Sequence, residues 1–188
     1  MIYFTSDLHY NHKNIASKTC SRWKSGYRDF SSLQEMNLHI EAQVDRLVYE
    51  DEIYILGDLC FGDERDIERF IRRFKCPIHY VAGNHDKRIN ESPYLISLFK
   101  TYSLVSSVTL VHKKIFMSHY SHRVWDKSHK GVIHLYGHSH GSLPDYGLSM
   151  DVGIDTCGYG HKKYTFYTLN EILRIMDKRK IENPDHHT

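Results

Sequence analysis

Aspartate, asparagine and histidine recur in five short polar motifs: Asp7-Leu8-His9, Gly57-Asp58, Gly83-Asn84-His85-Asp86, Ser118-His119 and Gly137-His138-Ser139-His140. Each motif alone has a plain reading, as a loop, a turn or a helix cap. Together they would bring two aspartates, an asparagine and four or five histidines into one cleft. Nitrogen and oxygen donors without thiolate suit borderline or hard divalent ions such as manganese, iron, nickel or zinc. Seven ligand-type residues exceed the needs of one mononuclear site and suit two metals.

Each motif directly follows a run of β-branched or aromatic residues, and that placement calls for a scaffold. Ile2–Thr5, Ile53–Leu56 and Ile78–Val81 read as strands closed by Asp7, Gly57-Asp58 and Gly83-Asn84. Between them lie two helical patterns. The first carries Leu33, Met36, Ile40, Val44 and Leu47, with Ser32 and Glu35 as a capping box; the second carries Ile67, Phe70, Ile71 and Phe74 and ends before Pro77. Strand–helix–strand–helix–strand favours parallel pairing through helical crossovers, with ligands bound beyond the carboxyl ends of the strands. The second half reads as hairpin-rich. Leu104–Val111 and Ile115–Met117 flank a turn at His112-Lys113-Lys114, and strands follow at Ile133–Tyr136, Met150–Ile154 and Tyr164–Thr168. A last helix is expected over Glu171–Lys180, capped by Asn170.

Composition narrows the function classes. The chain has 188 residues, 25 basic and 23 acidic, for a net charge of +2, so no basic excess supports a stable nucleic-acid complex. No apolar run reaches membrane-spanning length, and the opening residues lack the pattern of a signal peptide. The expectation is a cytoplasmic protein with one domain over residues 1–182 and a disordered tail at 183–188. Cys20, Cys60, Cys76 and Cys157 form no Cys-x-x-Cys pair and read as reduced, mostly core thiols. The 15 histidines include several outside the motifs, of which His134, inside a strand, reads as buried and hydrogen-bonded. Residues 10–30 form a long polar loop. Its Lys13, Arg22 and Arg28, with Arg123 in the 121–131 segment, are candidates to steer anions, whereas Trp23, Tyr27 and Trp125 read as plugs before stacking platforms.

The order and spacing of the five motifs across residues 7–140 resemble the calcineurin-like metallophosphoesterases. The segments Tyr3–Ile15, Ser118-His119-Tyr120, Gly137–Gly141 and Asp151-Val152-Gly153-Ile154-Asp155 resemble a compact branch of that family found in bacteria and phages. The resemblance implies an α/β fold, a four-layer αββα sandwich with two mixed β-sheets. It also implies two divalent metal ions (manganese, iron, nickel or zinc). Asp7, His9 and His140 would hold one metal, Asn84, His119 and His138 the other, and Asp58 would bridge them. His85 would stay off the metals and face the substrate; Asn84 and His12 are the candidate substrate contacts.

The implied activity is hydrolysis of phosphoester bonds by in-line attack of a metal-bridging hydroxide. Asp58 and His85 are the catalytic candidates, with His85 as proton donor to the leaving oxygen. A compact chain leaves little room for a cap, which favours a phosphodiester over a phosphomonoester and a small or nucleotide-like substrate. One departure stands out: where family members carry an aspartate that orients the catalytic histidine, three residues beyond Asp58, this chain has Phe61. Asp63 and Asp86 are the candidates to replace it. The competing reading is a non-catalytic protein-binding scaffold on the same fold; the presence of His85 and of a complete ligand set favours the enzyme.

Overall fold

The computed structural model describes residues 1–22, 24, 26–157 and 163–182. The expectations for Trp23 and the 183–188 tail lie outside the described residues. The strands are β1 (Ile2–Thr5), β2 (Glu52–Ile55), β3 (Ile78–Val81), β4 (Thr101–Ser103), β5 (Val105–Leu110), β6 (Lys113–Ser118), β7 (Ile133–Tyr136), β8 (Ser149–Asp151) and β9 (Tyr167–Thr168). The helices are α1 (Lys13–Ala16), α2 (Leu33–Asp45), α3 (Glu64–Ile71), α4 (Lys87–Asn90), α5 (Pro93–Ser97) and α6 (Leu169–Met176).

Two mixed sheets result. One has the order β4-β3-β2-β1-β9, with parallel pairing from β1 to β4 and β9 antiparallel to β1; the other has the order β5-β6-β7-β8. Strand alternation places the two faces of the first sheet in different cores. Ile53, Ile55, Ile78 and Tyr80 pack with Met36, Ile40 and Val44 of α2 and with Ile67, Phe70 and Ile71 of α3. Phe4, Tyr54, Leu56 and Val81 face the other way, onto Ile115, Met117, Ile133, Leu135 and Met150 of the second sheet. The expected α/β sandwich of two stacked sheets is therefore present.

The second half is less hairpin-rich than the sequence suggests. Only β5 and β6 pair antiparallel in the second sheet; β6, β7 and β8 run parallel. The hairpin turn is Val111-His112, not His112–Lys114, and both residues have positive φ, 48° and 64°. A two-residue turn of that hand matches the twist of the flanking strands, and here it overrides the poor fit of a β-branched valine. The last helix starts two residues early, because Thr168 and Glu171 form the reciprocal cap that Asn170 was expected to supply. At α2 the cap is half as expected. Ser32 accepts from the Glu35 N–H, but the Glu35 carboxylate accepts from Ser31.

Alternation also sends Phe116 and His134 to the outer face of the second sheet, where Trp125 covers them. The Trp125 indole N–H donates to the Val132 carbonyl at 2.8 Å, which fixes the tryptophan as a plug. His134 is fully buried and accepts the His122 main-chain N–H at 3.0 Å, as the sequence led one to expect. Burial lowers its pKa to about 3. Below pH about 6.5 the unfolded chain takes up a proton here that the native state refuses, so stability falls with pH at about 1.4 kcal/mol per unit toward pH 3. A His134→Gln variant keeps an acceptor and removes this linkage. Its denaturant-derived stability should drop between pH 7 and pH 5 by about 2 kcal/mol less than that of the parent chain; parallel profiles would show that His134 is not held neutral.

Candidate metal centre

The parallel pairing of β1 and β2 continues beyond the strands. Asp7 N–H donates to Gly57 O, His9 N–H to Asp58 O and Tyr10 N–H to Leu59 O, at 3.0, 3.0 and 3.1 Å. The chain between Asp7 and His9 is not extended, as strand-like sharing of a face would need. Asp7 and His9 instead have φ of 54° and 48°, and Asp58, His138 and His140 have 54°, 65° and 47°. Left-handed backbone at five such residues is uncommon and costs of order 1 kcal/mol or more each. It turns the side chains back over the ends of the sheets. Glycine is required where the loops touch: a Cβ at Gly57 would sit 2.6 Å from the Gly83 Cα, and one at Gly137 would sit 2.5 Å from Asp7 Oδ2.

All seven residues expected as ligands meet there. Asp58 Oδ2 lies 3.5 Å from His9 Nε2 and 3.6 Å from His119 Nε2. Asp7 Oδ1 lies 3.9 Å from both His9 Nε2 and His140 Nε2. Asn84 Oδ1 lies 2.8 Å from His119 Nε2 and 2.9 Å from His138 Nδ1. Ligand atoms of Asp7, His9 and His140, and of Asp7, Asp58 and His119, fall within 4.8 Å of one another and could each hold an ion. Asp7, His9, Asp58 and His119 form a buried floor, while Asn84, His85 and His138 are exposed on one wall.

The donor chemistry fits cations. Asp7 Oδ2 accepts the His138 N–H, yet the buried Asp7 Oδ1 and His9 Nε2 have no hydrogen-bond partner. His119 donates its Nδ1–H to the Leu56 carbonyl at 2.7 Å, so its Nε2 brings a lone pair to Asn84 Oδ1, another acceptor. His140 likewise gives its Nδ1–H to Asp155 Oδ2 at 2.7 Å and turns Nε2 inward. Such outer hydrogen bonds set the tautomer that a metal needs. Without a cation the cluster balances its charge with protons. Burial pushes the Asp7 carboxyl up to about 7 and raises that of Asp58. Burial opposes protonation of His140, but the Asp155 hydrogen bond and the Asp7 charge raise its pKa.

His85 stands beside this floor with its ring on the exposed wall. Its main-chain N–H donates to Asp58 Oδ1 at 2.9 Å, and its Nε2 is 4.0 Å from Asp58 Oδ2. Neither acidic candidate orients the ring. Asp63 caps α3, and the buried Asp86 accepts the N–H groups of Asp58, Leu59 and Gly83. Phe61 lies against His12 and His85 instead, with ring centroids 4.0 and 5.5 Å away. His12 borders the floor and has its Nδ1 3.0 Å from His9 Nδ1.

Arg28 is not an anion-steering residue of the loop: it is buried and bound to Asp155 through Nε and Nη2 at 2.7 and 2.8 Å. Arg123 lies over the Tyr146 ring, 4.2 Å from its centroid. The residues that sequence reasoning left without a role are Asp151, whose carboxylate accepts from Gly141 and Gly153, and Asp155. Their only signal was the polar ends of the Asp151–Asp155 run.

Comparison with known proteins agrees with this geometry. The chain matches the family model for calcineurin-like phosphoesterases over residues 1–184. It is 34% identical over 89 residues to an uncharacterized protein of Methanocaldococcus jannaschii, across 46% of this chain and 47% of that one, so the match spans about half of that relative. It is 24% identical over 168 residues to the Gene 66 protein of Mycobacterium phage D29, across 76% and 79% of the two chains. A solved protein of unknown function from Aquifex aeolicus shares the fold, with a TM-score of 0.63, 20% identity and 93% and 98% coverage. The chain belongs to the calcineurin-like phosphoesterase family, whose members are phosphoric ester hydrolases dependent on divalent metal ions.

Proposed function

We propose that this chain is a dinuclear metal-dependent phosphoesterase that prefers phosphodiesters to phosphomonoesters. The observation that carries the reading is the pair of buried, unpartnered atoms Asp7 Oδ1 and His9 Nε2, which face the inward atoms of Asp58 and His140. Asp7, His9 and His140 would hold one ion and Asn84, His119 and His138 the other. Asp58 is suited to bridge them, since its Oδ2 lies within 3.6 Å of histidine nitrogens from both sets. Two such ions supply positive charge to a phosphate ester and make a nucleophile available from water at neutral pH.

The chain's own groups do the rest. His85, adjacent to the floor and off both ligand sets, holds a proton for the departing ester oxygen. Asn84, a neutral amide among the ligands, keeps the net charge of the site positive and stands where a substrate oxygen arrives. His12 has its pKa lowered to about 4, by burial first and then by His85 and Arg28, so it meets a phosphate as a neutral hydrogen-bonding group. The wall of Asn84, His85 and His138 is exposed, so the site is open on the side from which a diester would enter. Among the described residues, no helix is long and apolar enough to cross a membrane. Small or nucleotide-like phosphoesters presented from solution are the substrates that fit.

Metal-stripped protein resupplied with manganese, nickel, iron(II) or zinc should hydrolyse an aryl phosphodiester faster than the matching monoester; a higher monoester rate would reverse the subclass. His85→Ala should retain two ions and lose about 10²- to 10⁴-fold in kcat. Asp58→Asn should lose both turnover and bound metal, and full activity in both variants would defeat the enzymatic reading. Metal binding must displace the proton that Asp7 holds below about pH 7. His140, whose pKa is also raised, must give up its proton as well, so affinity for the ion assigned to Asp7, His9 and His140 should rise by at least about tenfold per pH unit toward pH 7, as followed by calorimetry in buffers of different ionisation heat. A flat profile would contradict a protonated metal-free site.

A further inference from the structure

The two halves of the site are supported by different parts of the chain. Arg28 reaches the first half three ways. Its Nε and Nη2 donate to the two carboxylate oxygens of Asp155, which in turn accepts from His140 Nδ1. Its Nη2 also donates to the Asp7 carbonyl at 2.5 Å, and its Nη1 to the Leu8 carbonyl at 2.8 Å. One buried guanidinium thus binds the main chain carrying Asp7 and His9 and the carboxylate that orients His140. The second half has supports of its own: the Leu56 carbonyl fixes His119, and Asp86 fixes the main chain at Asp58, Leu59 and Gly83, while the Asp7 carboxylate links the halves by accepting the His138 N–H. No hydrogen bond of Arg28 reaches Asn84, His119 or His138 among those described.

We infer that Arg28, acting with Asp155, is a positioning residue that sets the affinity of one metal of the pair, the one assigned to Asp7, His9 and His140, and leaves the other unaffected. The inference rests on the dinuclear reading above. The fork geometry matters as much as the charge. Four planar N–H donors serve the Asp155 carboxylate and two adjacent carbonyls at once, which a lysine ammonium on its flexible stem does not reproduce. Arg28 is itself held by the loop it belongs to, with its N–H donating to the Ile15 carbonyl at 2.6 Å. The long polar segment between α1 and α2 therefore serves the site by delivering this one side chain.

The test uses the full-length, metal-stripped chain titrated with manganese(II), read by calorimetry and by electron paramagnetic resonance. Arg28→Lys keeps the charge without the fork. Asp155→Asn keeps the shape but offers one acceptor oxygen where three donors converge. Each variant should bind one ion with parental affinity and the other about ten- to a hundredfold more weakly, matching His140→Gln and not His138→Gln. The exchange-coupled signal of paired ions should give way to that of an isolated ion. Equal weakening of both ions would mean general loosening and would overturn the inference, as would unchanged binding of both. A parent chain that binds fewer than two ions would overturn the dinuclear reading itself, so the two failures are distinguishable.

Discussion

Three main-chain hydrogen bonds beyond the ends of β1 and β2 govern the rest of the site. By extending the parallel ladder through Asp7, His9 and Tyr10, they bring two loops to the spacing of neighbouring strands. At that spacing side chains crowd, and the chain responds with left-handed residues and with glycines that have no side chain to place. The same ladder forces the carboxylates of Asp7 and Asp58 into burial. Their charge must then be met by protons, by histidines or by a cation. The chemistry of the centre is in this sense a consequence of sheet pairing carried a few residues too far for ordinary turns.

Around that ladder the polar supports are economical. Asp86 satisfies three main-chain N–H groups from two loops, and Asp155 joins a histidine to an arginine. Asp86 is buried and Asp155 half-buried, and each accepts three hydrogen bonds. Phe61, His12 and His9 form an aromatic tier along the opposite side. The histidine ring at position 85 is thus held by packing and by its own main chain instead of by an acid.

Much of this was legible in the sequence, and the misses have physical causes. The three apolar runs of the first half are buried on both faces, which makes them hard to misread, and their polar ends located the residues that cluster at the ends of the sheets. The short elements α1, α4, α5 and β4 have too few residues for a period to show. The hairpin turn shifted because strand twist decides it over residue preference, and the last helix moved because Thr168 makes a better cap than Asn170. Asp-x-His spacing was informative, though through alternating left-handed backbone and not through an extended strand. The supports were the least legible part. Arg28 and Asp155 are 127 positions apart, and neither residue carries a local pattern that announces the other.

The place of β1 in its sheet has a consequence for assembly. It is an interior strand, flanked by β2 on one side and on the other by β9, whose Thr168 pairs with Tyr3. Ser6 likewise waits for Gly153, and the Ile154 N–H for the Ser6 carbonyl. During synthesis β1 therefore has an open hydrogen-bonding edge until β9 has emerged, and open edges invite pairing with other chains. Asp7 and His9 lie just past that strand. Until β9 docks, the strand that leads into Asp7 and His9 keeps one edge unpaired.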